Sequence, residues 1–432
     1  MTEITRFAPS PTGRLHVGNL RAALHNWLWA RKNGGTFLLR VDDTDLARSE
    51  GRFVEAIRAD LHWFGLTIDR EERQSLRFDL YEREFQRLRD AGRVYACYET
   101  PEELDLRRKV LLGRGLPPVY ERKPADAPVP EGVAPHWRFK LDHDAPIEWH
   151  DLIRGPQHFD PAKLSDPVIR RADGSWLYLL PSAIDDVDMK VTTVVRGEDH
   201  VSNTALQLQM FAALGAQPPK FAHEALLTGT EGKLSKRLGS LDCDALREEG
   251  VEPLALAALL AHLGTSDPVE PVTSLQPLID GIDFSRFGRA PARFDMAELQ
   301  GLNAKTIHAM PFADVAARLP VDDAVWLAIR PNLSRMSDAH EWLAVITGPV
   351  EATIAAEDMD YLVEAARVAA TIDWGGDPWH ALTGALKEAT GRKGKALFMP
   401  LRQALTGRDH GPDMAALLPL IGKEKALERL AR

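Results

Sequence analysis

Two short motifs combine residue types that could bind and activate a phosphate group. The first, His16-Val17-Gly18-Asn19, lies where a predicted strand gives way to a predicted helix. A helix N-terminus there would offer free backbone N–H groups and a positive dipole end to an anion. Gly18 would let a purine ring approach the backbone, and His16 could donate a hydrogen bond to a phosphate oxygen. Taken alone, such a tetrapeptide is more often part of an ordinary turn.

The second motif, Lys233-Leu234-Ser235-Lys236-Arg237, places three cations and a hydroxyl within five residues between flanking glycines. Ammonium groups can offset the charge that builds on phosphoryl oxygens in a transition state without transferring a proton. A solvated basic turn is the commoner origin of such a run in isolation. No Gly-rich loop of the P-loop type is present, so a P-loop ATPase is not expected. The two motifs together indicate a nucleoside triphosphate that is attacked at its α-phosphate.

Apolar periodicity around the first motif predicts a doubly wound sheet. Residues 4–8 form a short predicted strand that Pro9 would end, and residues 20–28 place apolar side chains at helical spacing. A second strand over residues 37–41 and a second helix over residues 53–64 follow. Such alternation is typical of a parallel sheet with helices on both faces. We therefore expect an α/β fold whose ligands bind beyond the carboxyl ends of its strands.

The alternation is interrupted and then resumes. Residues 75–175 carry an arginine-rich helical stretch and a proline-rich linker, which together indicate an insertion. A strand over residues 191–195, a helix over residues 203–214 and a short strand at 226–227 then lead to the second motif. Beyond another proline-containing linker at 268–277, the pattern predicts a largely helical region to the end of the chain.

Charged side chains follow two of the predicted strands. Asp42, Asp43 and Asp45 come after the strand over residues 37–41, and Arg196 comes directly after the strand over residues 191–195. Carboxylates could hold a ligand's ammonium group, and a guanidinium could pair with a ligand's carboxylate. A strand-end salt bridge or a helix cap is the alternative origin of each. An acidic and a basic group around one pocket would suit an amino acid as the attacking substrate.

Composition excludes several classes of protein. The chain has 432 residues, two cysteines and a net charge of 53 minus 63, or −10. Two cysteines cannot form a disulfide framework and fit a reducing cytosol. The longest apolar runs are too short to span a bilayer, and we expect no secretory signal at the N-terminus. The acidic balance argues against a nucleic-acid partner, but residues 391–432 hold nine basic and four acidic side chains, so RNA binding stays open.

Together these motifs resemble glutamyl-tRNA synthetases of the bacterial type, which are class I aminoacyl-tRNA synthetases. The resemblance runs over essentially the whole chain. The segments that carry it are Arg6-Phe7-Ala8-Pro9-Ser10-Pro11-Thr12-Gly13, the His16 motif, Asp43-Thr44-Asp45, Arg196-Gly197-Glu198-Asp199-His200, the Lys233 motif, Met399-Pro400-Leu401-Arg402 and Leu405-Thr406-Gly407.

The resemblance implies ATP- and Mg²⁺-dependent activation of L-glutamate, followed by transfer of glutamate to the 3′-terminal ribose of tRNA(Glu). It implies a catalytic set in which Lys236 is the principal group stabilising the transition state: His16, Gly18, Lys233, Ser235 and Lys236. The implied ATP contacts are His16, Gly18, Asn19, Asp199, Lys233 and Lys236. The implied glutamate contacts are Arg6, Ala8, Ser10, Asp42, Tyr178, Ser182 and Arg196. Arg196 would bind the side-chain carboxylate of glutamate, a bidentate task that lysine would perform poorly.

The resemblance also implies a domain plan. A Rossmann-like catalytic domain would comprise residues 1–80 and 178–230, with residues 81–177 inserted as a domain that binds the tRNA acceptor end. Residues 231–300 would contact the tRNA stem and carry the Lys-rich loop, and residues 301–432 would form an α-helical anticodon-binding region. We expect a cytoplasmic monomer without membrane contacts. Some members of the family also charge tRNA(Gln), and the sequence does not decide this point.

The chain departs from the family pattern at a few positions. Asn19 replaces the usual second glycine of the first motif, Asp42 stands where Glu is usual, and Ser182 stands where some members have Asn. Zinc-binding members carry four Cys or His ligands in the insertion. Here only Cys97 matches, because Glu99 takes the second ligand position and no later cysteine follows in the insertion. We therefore expect no zinc.

Four other functions remain to be weighed against this one. A truncated relative that glutamylates a modified base of tRNA(Asp) would end after the catalytic core, and glutaminyl-tRNA synthetases usually carry β-rich C-terminal barrels. A nucleotidyltransferase of similar fold could share the first motif but would not need the long helical region. A non-catalytic, tRNA-binding paralogue would be expected to lose His16 or Lys236, and both are present.

Overall fold

The computed structural model describes residues 2–124, 128–229 and 241–431, together with the backbone of residues 232–233. The chain divides into two compact units. The first unit comprises Met1–Leu246, Ala257–Val269 and Ser274–Asp295, and the second comprises Arg247–Leu256, Glu270–Thr273 and Met296–Arg432.

Strands occur in the first unit. Those of the described residues are β1 (Ile4–Phe7), β2 (Thr36–Val41), β3 (Arg70–Arg73), β4 (Val94–Cys97), β5 (His136–Phe139), β6 (Ile147–Asp151), β7 (Gly155–Phe159), β8 (Val168–Arg170), β9 (Thr193–Gly197), β10 (Lys220–Glu224), β11 (Leu227–Gly229), β12 (Gly232–Lys233) and β13 (Ala292–Arg293).

Helices occur in both units. Those of the described residues are α1 (Val17–Lys32), α2 (Gly51–Trp63), α3 (Phe78–Asp90), α4 (Pro101–Gly113), α5 (Leu179–Asp188), α6 (Val201–Ala213), α7 (Cys243–Glu248), α8 (Pro253–His262), α9 (Gln276–Gly281), α10 (Met296–Ala309), α11 (Asp323–Ile329), α12 (Ala339–Thr347), α13 (Met359–Thr371), α14 (Pro378–Thr390), α15 (Lys395–Thr406), α16 (Met414–Ile421) and α17 (Lys423–Leu430).

A seven-stranded sheet organises the first unit, in the order β3-β2-β1-β9-β10-β6-β7. Neighbouring strands are parallel except β6 and β7, which form an antiparallel pair at one edge. The central strands are buried on both faces, and β2 reads as the nearly continuous apolar run that such burial demands. The predicted α/β fold is confirmed, and the carboxyl ends of β1, β2, β9 and β10 meet along one edge of the sheet.

The sequence predicted β1, β2 and β9 of this sheet but not β3, β6, β7 or β10. The strand predicted at residues 226–227 corresponds to β11, which belongs to a separate three-stranded sheet with β12 and β13. The strand that joins the main sheet in this region is β10, which was not predicted. The reason is that β10 ends in His223 and Glu224, two buried polar residues that break its apolar pattern.

The segment predicted as an inserted domain contributes to two sheets. Strands β4, β5 and β8 form a separate antiparallel sheet. Strands β6 and β7, which the prediction also assigned to the insertion, instead join the main sheet beside β10. The boundaries 81–177 thus include two strands that help to build the sheet beneath the predicted site.

The second unit is helical, as the sequence predicted for the C-terminal region. Its core gathers buried side chains from α10 to α17, including Trp326, Leu382, Leu401 and Leu417. Burial of these apolar side chains is the main source of stability for such short helices, because a short helix is only marginally stable on its own. Among the described residues, no helix is both long and apolar enough to cross a membrane.

Candidate active site

A cavity of about 630 Å³ opens in the first unit at the carboxyl ends of β1, β2, β9 and β10, where ligands bind in open α/β sheets. Many predicted site residues line it. From the nucleotide set these are His16, Gly18, Asn19 and Asp199, and from the amino acid set they are Arg6, Ala8, Ser10, Asp42, Tyr178, Ser182 and Arg196.

The His16 motif forms the N-terminus of α1, and His16 is its N-cap. His16 Nδ1 accepts a hydrogen bond of 3.1 Å from the backbone N–H of Gly18. Burial lowers the pKa of His16, which favours the neutral ring. A neutral ring whose Nδ1 is an acceptor must carry its proton on Nε2. The local fold therefore presents a fixed N–H donor at the mouth of a helix dipole, as an anionic ligand requires.

Asn19 and Gly18 each contribute to the shape of this turn. Asn19 Oδ1 accepts a hydrogen bond of 3.3 Å from the backbone N–H of His16, which completes a capping box. Asn19, the departure from the family pattern, thus stabilises the turn. A Cβ at Gly18 would lie 2.9 Å from His16 Cε1, so a larger residue would displace the imidazole ring.

Three buried arginines dominate the other end of the cavity. Arg6 binds Asp186 with distances of 3.2 and 3.4 Å. Arg40 binds Asp42 at 2.6 and 3.1 Å and also reaches Asp186 at 2.8 Å. Burial alone would raise the pKa of Asp186, but Arg6 and Arg40 outweigh it and lower that pKa overall. Arg6 and Arg40 are therefore neutralised by carboxylates of the protein itself.

Arg196 differs from the other two because its hydrogen-bond acceptors are neutral. Its Nη2 donates to Thr204 Oγ1 at 2.6 Å and to Gln207 Oε1 at 2.9 Å, and its Nε lies 3.3 Å from His223 Nε2. Within the described residues it forms no salt bridge, and its Nη1 has no acceptor. Burial first, and then Arg6, lower the pKa of Arg196 to about 10, so it remains cationic at neutral pH. A buried cation without a counter-charge favours an anionic ligand.

Other predicted contacts lie in the cavity but already have protein partners. Both carboxylate oxygens of Asp42, the predicted ligand of an ammonium group, accept from Arg40. Ser182 Oγ accepts from Arg40 Nη2 at 2.8 Å, and the Tyr178 hydroxyl lies 3.3 Å from His200 Nδ1. Burial raises the pKa of Asp42, although Arg40 opposes this effect. Asp42 therefore shares its negative charge between Arg40 and any ammonium that enters.

The Lys-rich motif lies largely outside the described residues. The backbone at Lys233 belongs to β12 and pairs with Thr228 of β11. Ser235 and Lys236 are outside the part of the chain that the structure describes, so their predicted roles stay predictions.

The sequence analysis did not single out Asp186 or Glu224. Asp186 follows Asp185 in helix α5, and these adjacent acids after an apolar stretch are the one signal that could have marked it. Glu224 is the last residue of the missed strand β10, lines the cavity and binds His25 of α1. Both residues acquire partners from distant parts of the chain, which local patterns do not reveal.

Of the two positions compared with zinc ligands, Cys97 ends β4 and Glu99 lies two residues beyond that strand. Their ligand atoms come within 4.8 Å of a ring nitrogen of His136, a residue that the sequence did not mark as a ligand. The Tyr120 hydroxyl contacts Cys97 Sγ at 3.3 Å and Glu99 Oε1 at 3.1 Å, and Lys123 Nζ lies 3.3 Å from the same Oε1. A metal ion would have to compete with this ammonium for Glu99. Burial also raises the pKa of the Cys97 thiol, which disfavours the thiolate that zinc binds.

Comparisons with known proteins cover both units. The family model "tRNA synthetases class I (E and Q), catalytic domain" matches residues 4–300, and "Anticodon binding domain" matches residues 318–432. A glutamate–tRNA ligase 2 of Sphingopyxis alaskensis is 72% identical over 433 residues, covering 100% of this chain and 99% of that protein. A glutamate–tRNA ligase 1 of Rhizorhabdus wittichii is 66% identical over 436 residues, covering 99% and 98% of the two chains.

A solved structure agrees in fold over the same extent. The crystal structure of a glutamate tRNA ligase from Elizabethkingia meningosepticum, in complex with its amino acid, superimposes with a TM-score of 0.84 at 29% identity. The match covers 100% of this chain and 98% of that one.

Proposed function

The chain belongs to the glutamate–tRNA ligase family of class I tRNA synthetases, and from that premise we propose a two-step reaction at the cavity described above. In the first step, an α-carboxylate oxygen of L-glutamate attacks the α-phosphorus of Mg²⁺-bound ATP. A new P–O bond forms, the bond to the β-phosphate oxygen breaks, and pyrophosphate leaves. In the second step, a hydroxyl of the 3′-terminal ribose of tRNA(Glu) attacks the glutamyl-adenylate carbonyl, loses its proton and releases AMP.

The single observation that best supports glutamate as the substrate is the state of Arg196. It is a buried cation at the base of the cavity whose protein partners among the described residues are neutral. The side-chain carboxylate of glutamate supplies the missing anion, and a charge-assisted hydrogen bond from Nη1 would hold it. A neutral amide in the same place would leave the charge of Arg196 uncompensated, which disfavours glutamine.

The remaining groups position the reacting atoms. Asp42 and the Tyr178 hydroxyl lie where they can accept hydrogen bonds from the substrate ammonium, and Arg6 lies where it can approach the α-carboxylate. At the other end of the cavity, His16 Nε2–H donates to a phosphate oxygen of ATP, assisted by the N-terminus of α1. Lys233 and Lys236 offset charge on the α-phosphate and the departing pyrophosphate. No side chain becomes covalently attached, so catalysis consists of positioning and charge stabilisation.

Gly18 lets the adenosine approach the backbone, while Asn19 and Asp199 lie beside the nucleotide and Ser235 contacts its phosphates. Ala8 and Ser10 border the glutamate from the end of β1.

Residues 81–177 bind the acceptor end of tRNA, residues 231–300 contact its stem and residues 301–432 bind its anticodon. The enzyme works as a zinc-free, cytoplasmic monomer. Because Asp42 stands where Glu is usual in the family, its contact to the substrate ammonium would be one methylene shorter.

Charging of two purified tRNAs with labelled L-glutamate tests this function. Incorporation into tRNA(Glu) that requires ATP supports it, and incorporation of another amino acid in place of glutamate would overturn it. A parallel reaction with tRNA(Gln) measures whether the enzyme also misacylates that tRNA. The result for tRNA(Gln) depends on side chains of the helical region and is separate from the chemistry of the cavity.

A further inference from the structure

We propose that Asp151 is a positioning residue for Arg196 and acts on it through His223. This inference rests on the proposed function, because the purpose of the arrangement is to aim Arg196 at the substrate's side-chain carboxylate. Neither Asp151 nor His223 lines the cavity, and both are fully buried beneath it.

The three residues lie side by side across three adjacent strands. Asp151 ends β6, His223 lies in β10 and Arg196 lies in β9. His223 and Arg196 are direct partners in the parallel register of β10 and β9, while Asp151 pairs with Phe221 two residues earlier in β10. The side chains therefore form a row across the strands, leading from β6 through β10 to Arg196 at the cavity.

Asp151 holds the His223 ring at Nδ1, on the side of the ring opposite Arg196. Its Oδ2 lies 2.5 Å from His223 Nδ1. Its Oδ1 accepts from the backbone N–H groups of His223, Ile153 and Arg154 at 3.1, 3.0 and 2.9 Å. Burial alone would raise the pKa of Asp151, but the interaction with His223 and the backbone N–H donors of His223 and Arg154 together outweigh it and lower that pKa. An ionised carboxylate can only accept, so Nδ1 of His223 must be the donor.

The protonation state of His223 then decides whether its Nε2 can accept a hydrogen bond from Arg196. Burial, with a further contribution from Arg196, lowers the pKa of His223 against the opposing effect of Asp151, so the ring is neutral. With the proton on Nδ1, Nε2 is an acceptor. It faces Arg196 Nε at 3.3 Å and the Thr204 hydroxyl at 2.8 Å. Phe221 stacks on the His223 ring and lies under the Arg196 guanidinium, which limits sideways movement of both.

The consequence for Arg196 is a fixed orientation of its planar fork. Nε is held by His223, and Nη2 is held by Thr204 and Gln207. These contacts leave Nη1 for the ligand. Without the acceptor at His223 Nε2, the guanidinium could rotate about its last side-chain bonds, and its match to a planar carboxylate would be lost.

The substitution D151N tests this relay because it keeps the shape and changes only the hydrogen-bonding type. Three backbone N–H groups require an oxygen at the Oδ1 position, so the amide nitrogen of Asn must take the place of Oδ2. That NH₂ group forces His223 Nδ1 to become an acceptor and moves the ring proton to Nε2. Two N–H donors, on His223 and on Arg196, then face each other.

We expect D151N to raise the KM for L-glutamate roughly 10- to 100-fold, the usual effect of leaving a buried donor unsatisfied, with the KM for ATP unchanged. The ratio of kcat/KM for glutamate to that for glutamine should fall by a similar factor, because the charge-assisted hydrogen bond that D151N misaligns is made to the carboxylate of glutamate and not to the amide of glutamine. The ¹⁵N shifts of the His223 ring should report a change from the Nδ1–H to the Nε2–H tautomer. H223F, which removes the acceptor altogether, should reproduce the KM effect if it folds.

D166N is a matched control, because Asp166 is an equally buried carboxylate of the same unit that binds Arg122, Tyr95 and the backbone of Leu141 and does not line the cavity. At saturating tRNA it should leave the KM for glutamate unchanged, because Asp166 contacts neither the cavity nor Arg196. An unchanged glutamate KM in D151N, equal losses for glutamate and ATP, or an Nε2–H tautomer in the wild type would each overturn the positioning role. Charging of a different amino acid by the wild type would overturn the proposed function alone. In that case the ring tautomer still decides whether Asp151 orients His223.

Discussion

Replacing Arg196 with lysine keeps the positive charge at the base of the cavity but removes the planar fork. The arginine side chain makes three hydrogen bonds to His223, Thr204 and Gln207 and still has Nη1 for a ligand. A lysine ammonium has three donors at one point, which Thr204 and Gln207 would already engage. We therefore expect R196K to lose at least one charge-assisted hydrogen bond to the glutamate side chain, worth about 1.5–3 kcal/mol. This corresponds to a rise in the glutamate KM of roughly 10- to 150-fold.

The assay is steady-state charging of tRNA(Glu) with varied L-glutamate at saturating ATP, followed by the same measurement with varied ATP. The KM for ATP should stay near the wild-type value because Arg196 lies at the amino acid end of the cavity. R122K is a suitable control, since Arg122 pairs with buried Asp166 in the same unit and does not line the cavity. A glutamate KM in R196K within twofold of wild type would refute the assignment of Arg196 to the substrate carboxylate.

Three further outcomes can be checked with modest effort. G18A should raise the KM for ATP with little effect on the KM for glutamate, because the added Cβ would lie 2.9 Å from His16 Cε1 and displace the donor ring; equal effects on both substrates would contradict this. Stability should fall as the pH is lowered from about 6.5, because burial lowers the pKa of His16, His136, His223 and His200, the last to about 4. Below pH 6.5 the unfolded chain binds protons that these folded histidines do not, so the free energy of unfolding decreases towards acid; thermal unfolding between pH 7 and 5 measures it, and a flat or rising stability would contradict it. Elemental analysis of the purified enzyme should find no stoichiometric zinc, and a chelator should leave its unfolding temperature unchanged; one bound zinc per chain would show that Cys97, Glu99 and His136 bind the metal despite Lys123.

Three strands of the main sheet, β1, β2 and β9, could be predicted from local signals. β2 is a nearly continuous apolar run that begins after Gly35, β1 is a short segment ended by the prolines that follow it, and α1 between them places apolar side chains at helical spacing. β10 could not be found in this way, because its last two residues are polar yet buried. Their burial is possible only because Asp151 and His25 supply hydrogen-bond partners from elsewhere in the chain.

The family and the enzyme class predicted from the motifs are confirmed by the matches over both units. The roles of individual residues were harder to predict. The sequence located Arg6, Asp42 and Arg196 at strand ends, where the structure brings them to one cavity. It could not tell that Asp42 is bound by Arg40, whereas Arg196 has no acidic partner among the described residues. That difference depends on the partners that the fold supplies, which are Asp42 for Arg40 but Thr204, Gln207 and His223 for Arg196.

The cluster around Cys97 shows the same limit. Spacing along the chain suggested only Cys97 and Glu99 as positions to compare with metal ligands. His136 lies 39 residues after Cys97 in the sequence, yet the two are direct partners in the antiparallel pair of β4 and β5. Strand pairing therefore brought in a ligand type that no local motif could indicate, and Tyr120 and Lys123 occupy the same neighbourhood.

The most direct test of the proposed chemistry is exchange of labelled pyrophosphate into ATP, measured with each amino acid in turn, with and without tRNA(Glu). We predict exchange that requires L-glutamate and rises sharply when the tRNA is added. K236A should abolish the exchange while its circular dichroism spectrum and unfolding temperature match those of the wild type. Exchange that depends on a different amino acid, or no exchange with any, would contradict the proposal that this cavity activates glutamate.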